Sequence, residues 1–493
     1  MGKHRFRPRL GLVAAVAVAG AVVGPVSAHA AGTQGAGVRS VRADFNGDGY
    51  ADLAVAASWG KVGGHARAGY VSVVYGSSKG LDTKHRQVIS QNTAGIPGSA
   101  EADDYFGSGL ALGDLDGDGY ADLVVGASGE DIGSVRNAGT LTVVWGGKEG
   151  LSGGTNVATG TEGDRVEAQH LALGDYDGDG RLDLATSTRL LEGPFTRTAG
   201  AARSAGLSFD SDYALDDLAA GDVDHDGVTD LVALIHDHSD DDSSDPDATA
   251  PRAVYLHGSK QGLGAPAVLK KADGTRVRGG SSLGIGDVNK DGYADLVIGR
   301  PLDGSGETPV DPALLGGQVG VVYGSAAGPD TSRTTVINQN TAGVPGASEA
   351  GDGFGWGVSV ADVNGDGYAD VAAGSPNEDI GKVASAGAVT VLRGGKGGLT
   401  GAGAVSFNQD TAGVPGTAEQ NDFFGSHTAL ADTDHDGRAE LYVGAPGENT
   451  FDGAAWAFRS TGTGPTASGS ASFGPATLGA PVTDANFGDG FAR

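Results

Sequence analysis

Apolar positions along this chain come in short β-branched runs that end in small residues: LAVAAS from Leu53, LVVGAS from Leu123, TLTVVW from Thr140. Such runs read as buried or alternating strands, and past the first thirty residues no stretch repeats its apolar positions with helical spacing. The order of pieces is constant. A strand such as YFGSGLALGD (105 to 114) leads into an acidic loop, a second strand such as YADLVVGAS follows, and a third, Gly-led and alternating, is AGTLTVVWGG. A polar turn comes next: YGSSKGL from Tyr75, WGGKEGL from Trp145, HGSKQGL from His257, YGSAAGP from Tyr323 and RGGKGGL from Arg393. A fourth strand then enters a long connection, which is nearly the same from Ser90 (SQNTAGIPGSAEADDYFG), Asn338 (NQNTAGVPGASEAGDGFG) and Asn408 (NQDTAGVPGTAEQNDFFG). Each unit therefore predicts four short antiparallel strands.

The acidic loop recurs seven times as D-x-[DN]-x-D-G-x-x-[DE]. A hard cation such as Ca²⁺ takes six to eight oxygens at about 2.3–2.6 Å, and alternate residues of a tight loop can supply them. Positions one, three and five offer side-chain oxygens, position seven a backbone carbonyl and position nine a closing carboxylate that can be bidentate, with Gly at position six for the turn. The candidate ligands are Asp44, Asn46, Asp48, Tyr50 and Asp52 in the first loop; Asp114, Asp116, Asp118, Tyr120 and Asp122 in the second; Asp175, Asp177, Asp179, Arg181 and Asp183 in the third. Asp222, Asp224, Asp226, Val228 and Asp230 form the fourth, and Asp287, Asn289, Asp291, Tyr293 and Asp295 the fifth. Asp362, Asn364, Asp366, Tyr368 and Asp370 form the sixth, and Asp432, Asp434, Asp436, Arg438 and Glu440 the seventh. Position twelve is apolar (Val55, Val125), so these are not EF-hands. Up to seven Ca²⁺ are expected, as folding components.

Loop starts lie 70, 61, 47, 65, 75 and 70 residues apart, which makes each unit a supersecondary module rather than a β-helix coil. Seven four-stranded units that must bury their sheets against neighbours predict an all-β, seven-bladed propeller over residues 31–493 with a calcium loop in each blade. Closure needs the termini to share a blade. Two segments compete to complete the first blade: Val38 to Arg42, directly before the first loop, and NFGDGFAR (Asn486 to Arg493), which repeats the opening strand of a unit and stops before any loop.

Composition narrows the function classes. Without cysteine there is no disulfide framework, thiol nucleophile or zinc-thiolate site. A formal charge of -29 disfavours nucleic acid and anionic lipid, and 25 of the 62 acids belong to the seven loops, so much of the acidity is site acidity. Residues 1–30 have the layout of a secretory signal peptide: Lys3, Arg5, Arg7 and Arg9, an apolar run from Leu10 to Val23, then small residues for cleavage after Ala30. The expected product is secreted, carries charge -33, and has no membrane span.

F-G, then the acidic loop, then G-A-P: together these resemble the FG-GAP repeats of the integrin α-subunit propeller. Phe106-Gly107, Phe354-Gly355, Phe424-Gly425 and Phe487-Gly488 carry the first element, and VGAS at Val125, IGRP at Ile298, AGSP at Ala373 and VGAP at Val443 the last. The pattern departs in the middle, where Glu167-Ala168, Ala214-Leu215 and Gly279-Gly280 stand in place of FG and the third blade is short. The resemblance implies a binding platform at an extracellular surface, with calcium stiffening one face and a protein or glycan met by loops of the other.

Catalytic signals are thin. GSSKG at Gly76 fits a nucleophile pattern around Ser78 but lies in the recurring turn. His236 and His238 lie in an acidic run read as a loop insertion, and His225 and His435 at position four of their loops point outward. Trp59, Trp145, Trp356 and Trp456 could stack on sugars or pack the blades. Glu101, Asp103, Glu349 and Asp352 sit in connections copied between blades, which argues for structure. The expectation is a non-catalytic binding or adhesion platform; the alternative is a polysaccharide-binding lectin or a lyase or hydrolase on the same scaffold.

Overall fold

A computed structural model of the chain describes residues 43–210, 213–237, 251–301 and 315–492. Residues 1–30, read above as a signal peptide, the segment 38–42 and most of the acidic run with His238 lie outside the described residues. In the first blade the acidic loop leads into β1 (Leu53–Ala57), which pairs antiparallel with β2 (Tyr70–Tyr75), and β2 with β3 (Asp82–Ile89). The second blade is the complete form: β4 (Phe106–Gly113), β5 (Asp122–Ala127), β6 (Thr140–Trp145) and β7 (Ser152–Thr159), hydrogen-bonded in that order. Four strands in sequence order also make the blades at 172–206, 214–268, 282–337 and 358–407. The seventh, from 427 to 473, interrupts its outer edge with a two-residue hairpin at Ser460–Thr461 and Gly464–Pro465.

Burial follows position in the blade. β5 and β6 are buried at every residue, whereas β7 alternates toward solvent as an outer edge must. Side chains between adjacent blades form the core. Phe45, Tyr75 and Ala56 of the first blade pack with Phe106, Leu123 and Val125 of the second, and equivalent clusters join the later blades in turn.

The resemblance's two signatures meet at these seams. The C-terminal Gly of FG and the Gly of G-A-P face each other across blades: a Cβ on Gly374 would lie 1.8 Å from the Gly425 carbonyl oxygen, and one on Gly444 2.2 Å from that of Gly488. Gly425 also sits at φ +94, which disfavours any side chain. The buried Phe424 pairs with Gly387 of the sixth blade. Where FG is replaced, Ala168 takes the place, its carbonyl 2.0 Å from where a Cβ on Gly126 would stand.

The C-terminal segment completes the first blade. Val55 bridges antiparallel to Phe491, with Ala56 N–H on Gly490 O (2.8 Å), Gly488 N–H on Ala56 O (3.0 Å) and Ala492 N–H on Ala54 O (3.0 Å). Ser58 N–H donates to Asp489 Oδ2 at 3.1 Å, the Tyr70 hydroxyl to Pro481 O at 2.7 Å, and Phe473, Phe487 and Phe491 share one core with Leu53, Val55 and Tyr70. First and seventh blades are thereby joined.

Candidate metal sites

Six of the acidic loops join the first two strands of a blade and the first leads directly into β1, all on the same side as the polar turn before the blade's outer strand. The loop folds around its first aspartate. Asp44 Oδ1 accepts the N–H of Gly47 (2.6 Å) and Asp48 (3.1 Å), and its Oδ2 that of Gly49 (2.7 Å). Position three accepts the N–H of position five, as Asn46 does from Asp48 at 2.8 Å, and position five accepts from position seven, as Asp48 does from Tyr50 at 3.0 Å. These are Asx turns, and they recur in every loop, each folding the backbone around the side chains of positions one, three and five.

Four loops bring the carboxylates of positions one, three and nine within 4.8 Å of one another: Asp114, Asp116 and Asp122; Asp175, Asp177 and Asp183; Asp222, Asp224 and Asp230; Asp432, Asp434 and Glu440. In the other three an asparagine holds position three, and Asn289 Oδ1 and Asn364 Oδ1 accept the same N–H bond as the aspartates do. His225 and His435 are exposed, as expected of position four; His435 Nδ1 lies 2.6 Å from Gly49 O of the neighbouring loop.

Position nine does more than the sequence reading gave it. In six loops this aspartate is buried and both its oxygens accept backbone N–H groups. Asp52 takes Phe45 N–H on Oδ2 (2.8 Å) and Gly76 N–H on Oδ1 (2.9 Å). Asp122 does the same with Leu115 and Gly146, and Asp295 with Val288 and Gly324. The carboxylate ties the acidic loop to the first Gly of the polar turn and keeps further lone pairs for a cation. In the seventh blade the inserted hairpin replaces that turn. Glu440 Oε2 accepts from Thr433 N–H at 2.9 Å, while Oε1 is buried without a protein partner.

Burial pushes the Asp52 carboxyl up to about 8, with Asp44 and Asp48 adding to it. Asp122, Asp183, Asp295 and Glu440 rise to about 7 and Asp230 and Asp370 to about 6, burial leading in each case. Clustered acids held this way, with a buried carboxylate oxygen left over at Glu440, fit a hard divalent cation. Basic groups meet the outward oxygens, a feature with no sequence signal because the partners come from distant segments. Arg197 places Nε and Nη2 2.7 Å from Asp116 and Asp118 and lies over the Trp145 ring, and His257 Nε2 lies 2.9 Å from Asp224.

The other candidates resolve differently. Trp145 and Trp456 are core, with indole N–H groups on Thr155 Oγ1 and Pro415 O, while Trp59 and Trp356 are half-buried. The carboxylate copied between connections is Asp104 rather than Asp103: it accepts Glu101 N–H as Asp352 accepts Glu349 N–H and Asp422 accepts Glu419 N–H. Asp103 instead pairs with Arg67. Ser78 lies in the turn.

Compared with known families, residues 36–74, 106–144, 279–323, 354–392 and 424–458 match the FG-GAP repeat. The chain carries FG-GAP repeats. Its third and fourth blades lie outside the matched segments, whereas the fifth, with Gly279-Gly280 in place of FG, is matched. The chain is 34% identical over 153 residues to phosphatidylinositol-glycan-specific phospholipase D of Mus musculus, which covers 31% of this chain and 18% of that protein. It is 30% identical over 207 residues to integrin alpha-3 of Cricetulus griseus, covering 40% of this chain and 17% of the integrin. Among solved structures, the exotype rhamnogalacturonan lyase YesX aligns over 90% of this chain and 76% of its own at 17% identity and a TM-score of 0.35. The chain thus spans less than a fifth of the length of these two relatives. No described helix is long and apolar enough to cross a membrane.

Proposed function

We propose that this chain is a calcium-stiffened binding platform that works outside the cell and performs no chemistry of its own. The observation that carries the reading is the same Asx-turn loop repeated seven times on one face of the ring, four copies of which hold the carboxylates of positions one, three and nine within 4.8 Å of one another. Positions one, three, five and nine of each loop would hold Ca²⁺ with the carbonyl of position seven. Bound there, the cation offsets repulsion among carboxylates already raised by burial and fixes the loop that joins two strands.

Sites of extracellular type bind Ca²⁺ at roughly 10⁻⁴–10⁻³ M, and at ten times that concentration each adds about 1.4 kcal/mol. Seven such increments are comparable with the whole stability of an ordinary domain. The partner is a protein or glycan met by the connections on the opposite face. Absence of catalysis is supported by the acids there: Asp104, Asp352 and Asp422 repeat one structural hydrogen bond, and a feature copied between blades is scaffold. The phospholipase named among the relatives shares too small a part of its length to lend its activity.

A calcium titration of chelator-stripped protein tests this, with melting temperature followed by calorimetry and bound metal by elemental analysis. A saturable rise with near seven Ca²⁺ per chain is expected. An unchanged melting curve with little metal would reduce the loops to acidic turns. Release of new chain ends from any polysaccharide would overturn the non-catalytic part.

A further inference from the structure

On the face opposite the acidic loops, the seam between the first and second blades opens into a polar cavity of about 740 Å³. Its size is that of a small-molecule site, roughly 300–1,000 Å³. Its lining is donor-rich. Arg67, Arg136, Tyr105, Asn137, Gln169 and Ser128 all face it. Two acids line it as well, and both are partly committed: Asp103 to the Nε of Arg67, and Asp131 Oδ1 to the Asn137 backbone N–H at 2.7 Å. Arg67 is held in place by that pair and by the rings of Trp59 and Tyr105, 5.9 and 6.0 Å from its guanidinium carbon, so its terminal nitrogens are presented without an ordering cost. Arg136 is exposed and makes no ion pair with the described residues.

The scaffold repeats at the seam between the sixth and seventh blades, which shows what is particular here. Asp103 N–H donates to Ala66 O at 3.1 Å and Tyr105 N–H to Arg67 O at 3.0 Å; Asn421 N–H donates to Ala384 O at 3.1 Å and Phe423 N–H to Ser385 O at 3.2 Å. Backbone for backbone the sites match, and Ser385 and Phe423 stand where this seam has Arg67 and Tyr105. The second blade's part in that seam falls to the seventh blade, where Thr450 stands three residues before Gly453 as Arg136 stands three before Gly139. The seam between the first two blades has thus acquired two guanidinium groups and a phenol on a backbone that does not require them, in a chain of net charge -29.

We propose that this cavity binds an acidic saccharide: a uronate carboxylate on Arg67 and Arg136, with sugar hydroxyls on Asn137, Gln169, Ser128 and the Tyr105 hydroxyl. Guanidinium forks suit a planar carboxylate, and the mainly polar lining suits a polyhydroxylated ligand better than an apolar peptide side chain. The proposal rests on the reading of the opposite face as the binding face, and names its ligand class.

The test is calorimetric titration of the calcium-saturated protein with tri-galacturonate, with neutral maltotriose and with a tri-glutamate peptide. Tri-galacturonate is expected to bind and maltotriose not. Arg136→Ala and Arg67→Ser, the latter placing the residue that the sixth blade carries, should each weaken binding at least tenfold with unchanged melting temperature, and Ser385→Ala should leave it alone. Equal binding of maltotriose, tighter binding of the peptide, or indifference to both arginine variants overturns the proposal. So does a failure of tri-galacturonate to bind at millimolar concentration; the platform reading then stands or falls separately on the calcium titration.

Discussion

At the scale of single residues, position nine of the acidic loop separates two roles that the motif merges. Asp295 is fully buried and accepts two backbone N–H groups, so Asp295→Ala should cost about 2–4 kcal/mol even in chelator, by leaving both donors unpaired. Asp291, at position five of the same loop, is exposed and accepts one N–H from Tyr293. Asp291→Ala should lose stability chiefly when calcium is present; denaturant melts of both variants with and without calcium check this, and equal losses in chelator would refute the division. A second prediction concerns protons. Burial pushes Glu130, Glu378 and Glu448 up to about 7, with neighbouring acids adding to it, despite the amides of Gln91, Gln339 and Gln409 that donate to them. Between the ordinary value near 4.5 and about 7 the folded state keeps a proton that the unfolded chain has lost, so stability falls as pH rises through that window. Glu378→Gln removes one such group: in saturating calcium it should gain on the order of 1 kcal/mol at pH 8, after solvent screening, and nothing near pH 4.5. Melting curves across that range would show it. The ligand pattern was legible because the oxygens of one loop are close in sequence. The second duty of position nine was not, since its donor, such as Gly76 for Asp52, lies 24 residues on in a turn whose recurrence had no evident purpose.

At the scale of elements, the seams depend on backbone approaching backbone. Gly425 stands at φ +94 with the Ala388 carbonyl oxygen 2.2 Å from where a Cβ would lie. Gly425→Ala should therefore cost at least about 2 kcal/mol, combining left-handed strain with a steric clash, whereas Gly437→Ala in the open seventh loop meets nothing within 4 Å and suffers the strain alone. Urea melts of the two variants would rank them, and similar losses would dismiss the seam argument. Strand order and blade count were readable from period-two apolar runs and recurring turns. The third blade was marked as short, and its strands are three, three, four and four residues long. The cavity at the first seam left no trace in the sequence, because Arg67 and Arg136 sit in hairpin connections with no periodic signal, and only the fold sets them beside Tyr105.

At the scale of the whole molecule, the ring is a closed sequence of seams with one joint that the chain forms last. Sequence pattern offered two segments for that joint and could not choose, since both are short and apolar enough to add a strand; the backbone pairs residues 488–492 with β1. Deleting residues 484–493 should therefore expose the Leu53, Val55 and Tyr70 core and replace one cooperative calorimetric transition by a broad, lower one, with the synthetic 484–493 peptide restoring it in part. A truncated chain that melts within about 2 °C of the full one would show that the joint contributes little. Ser58 and Asp489, which meet there, are 431 positions apart. At about 5–20 residues per second, a ribosome that has finished β1 needs on the order of tens of seconds more before its partner strand exists. The first blade must spend that time without this partner strand, so closure of the ring waits until residues 488–492 have been made, and the blades between form on a chain that is still open.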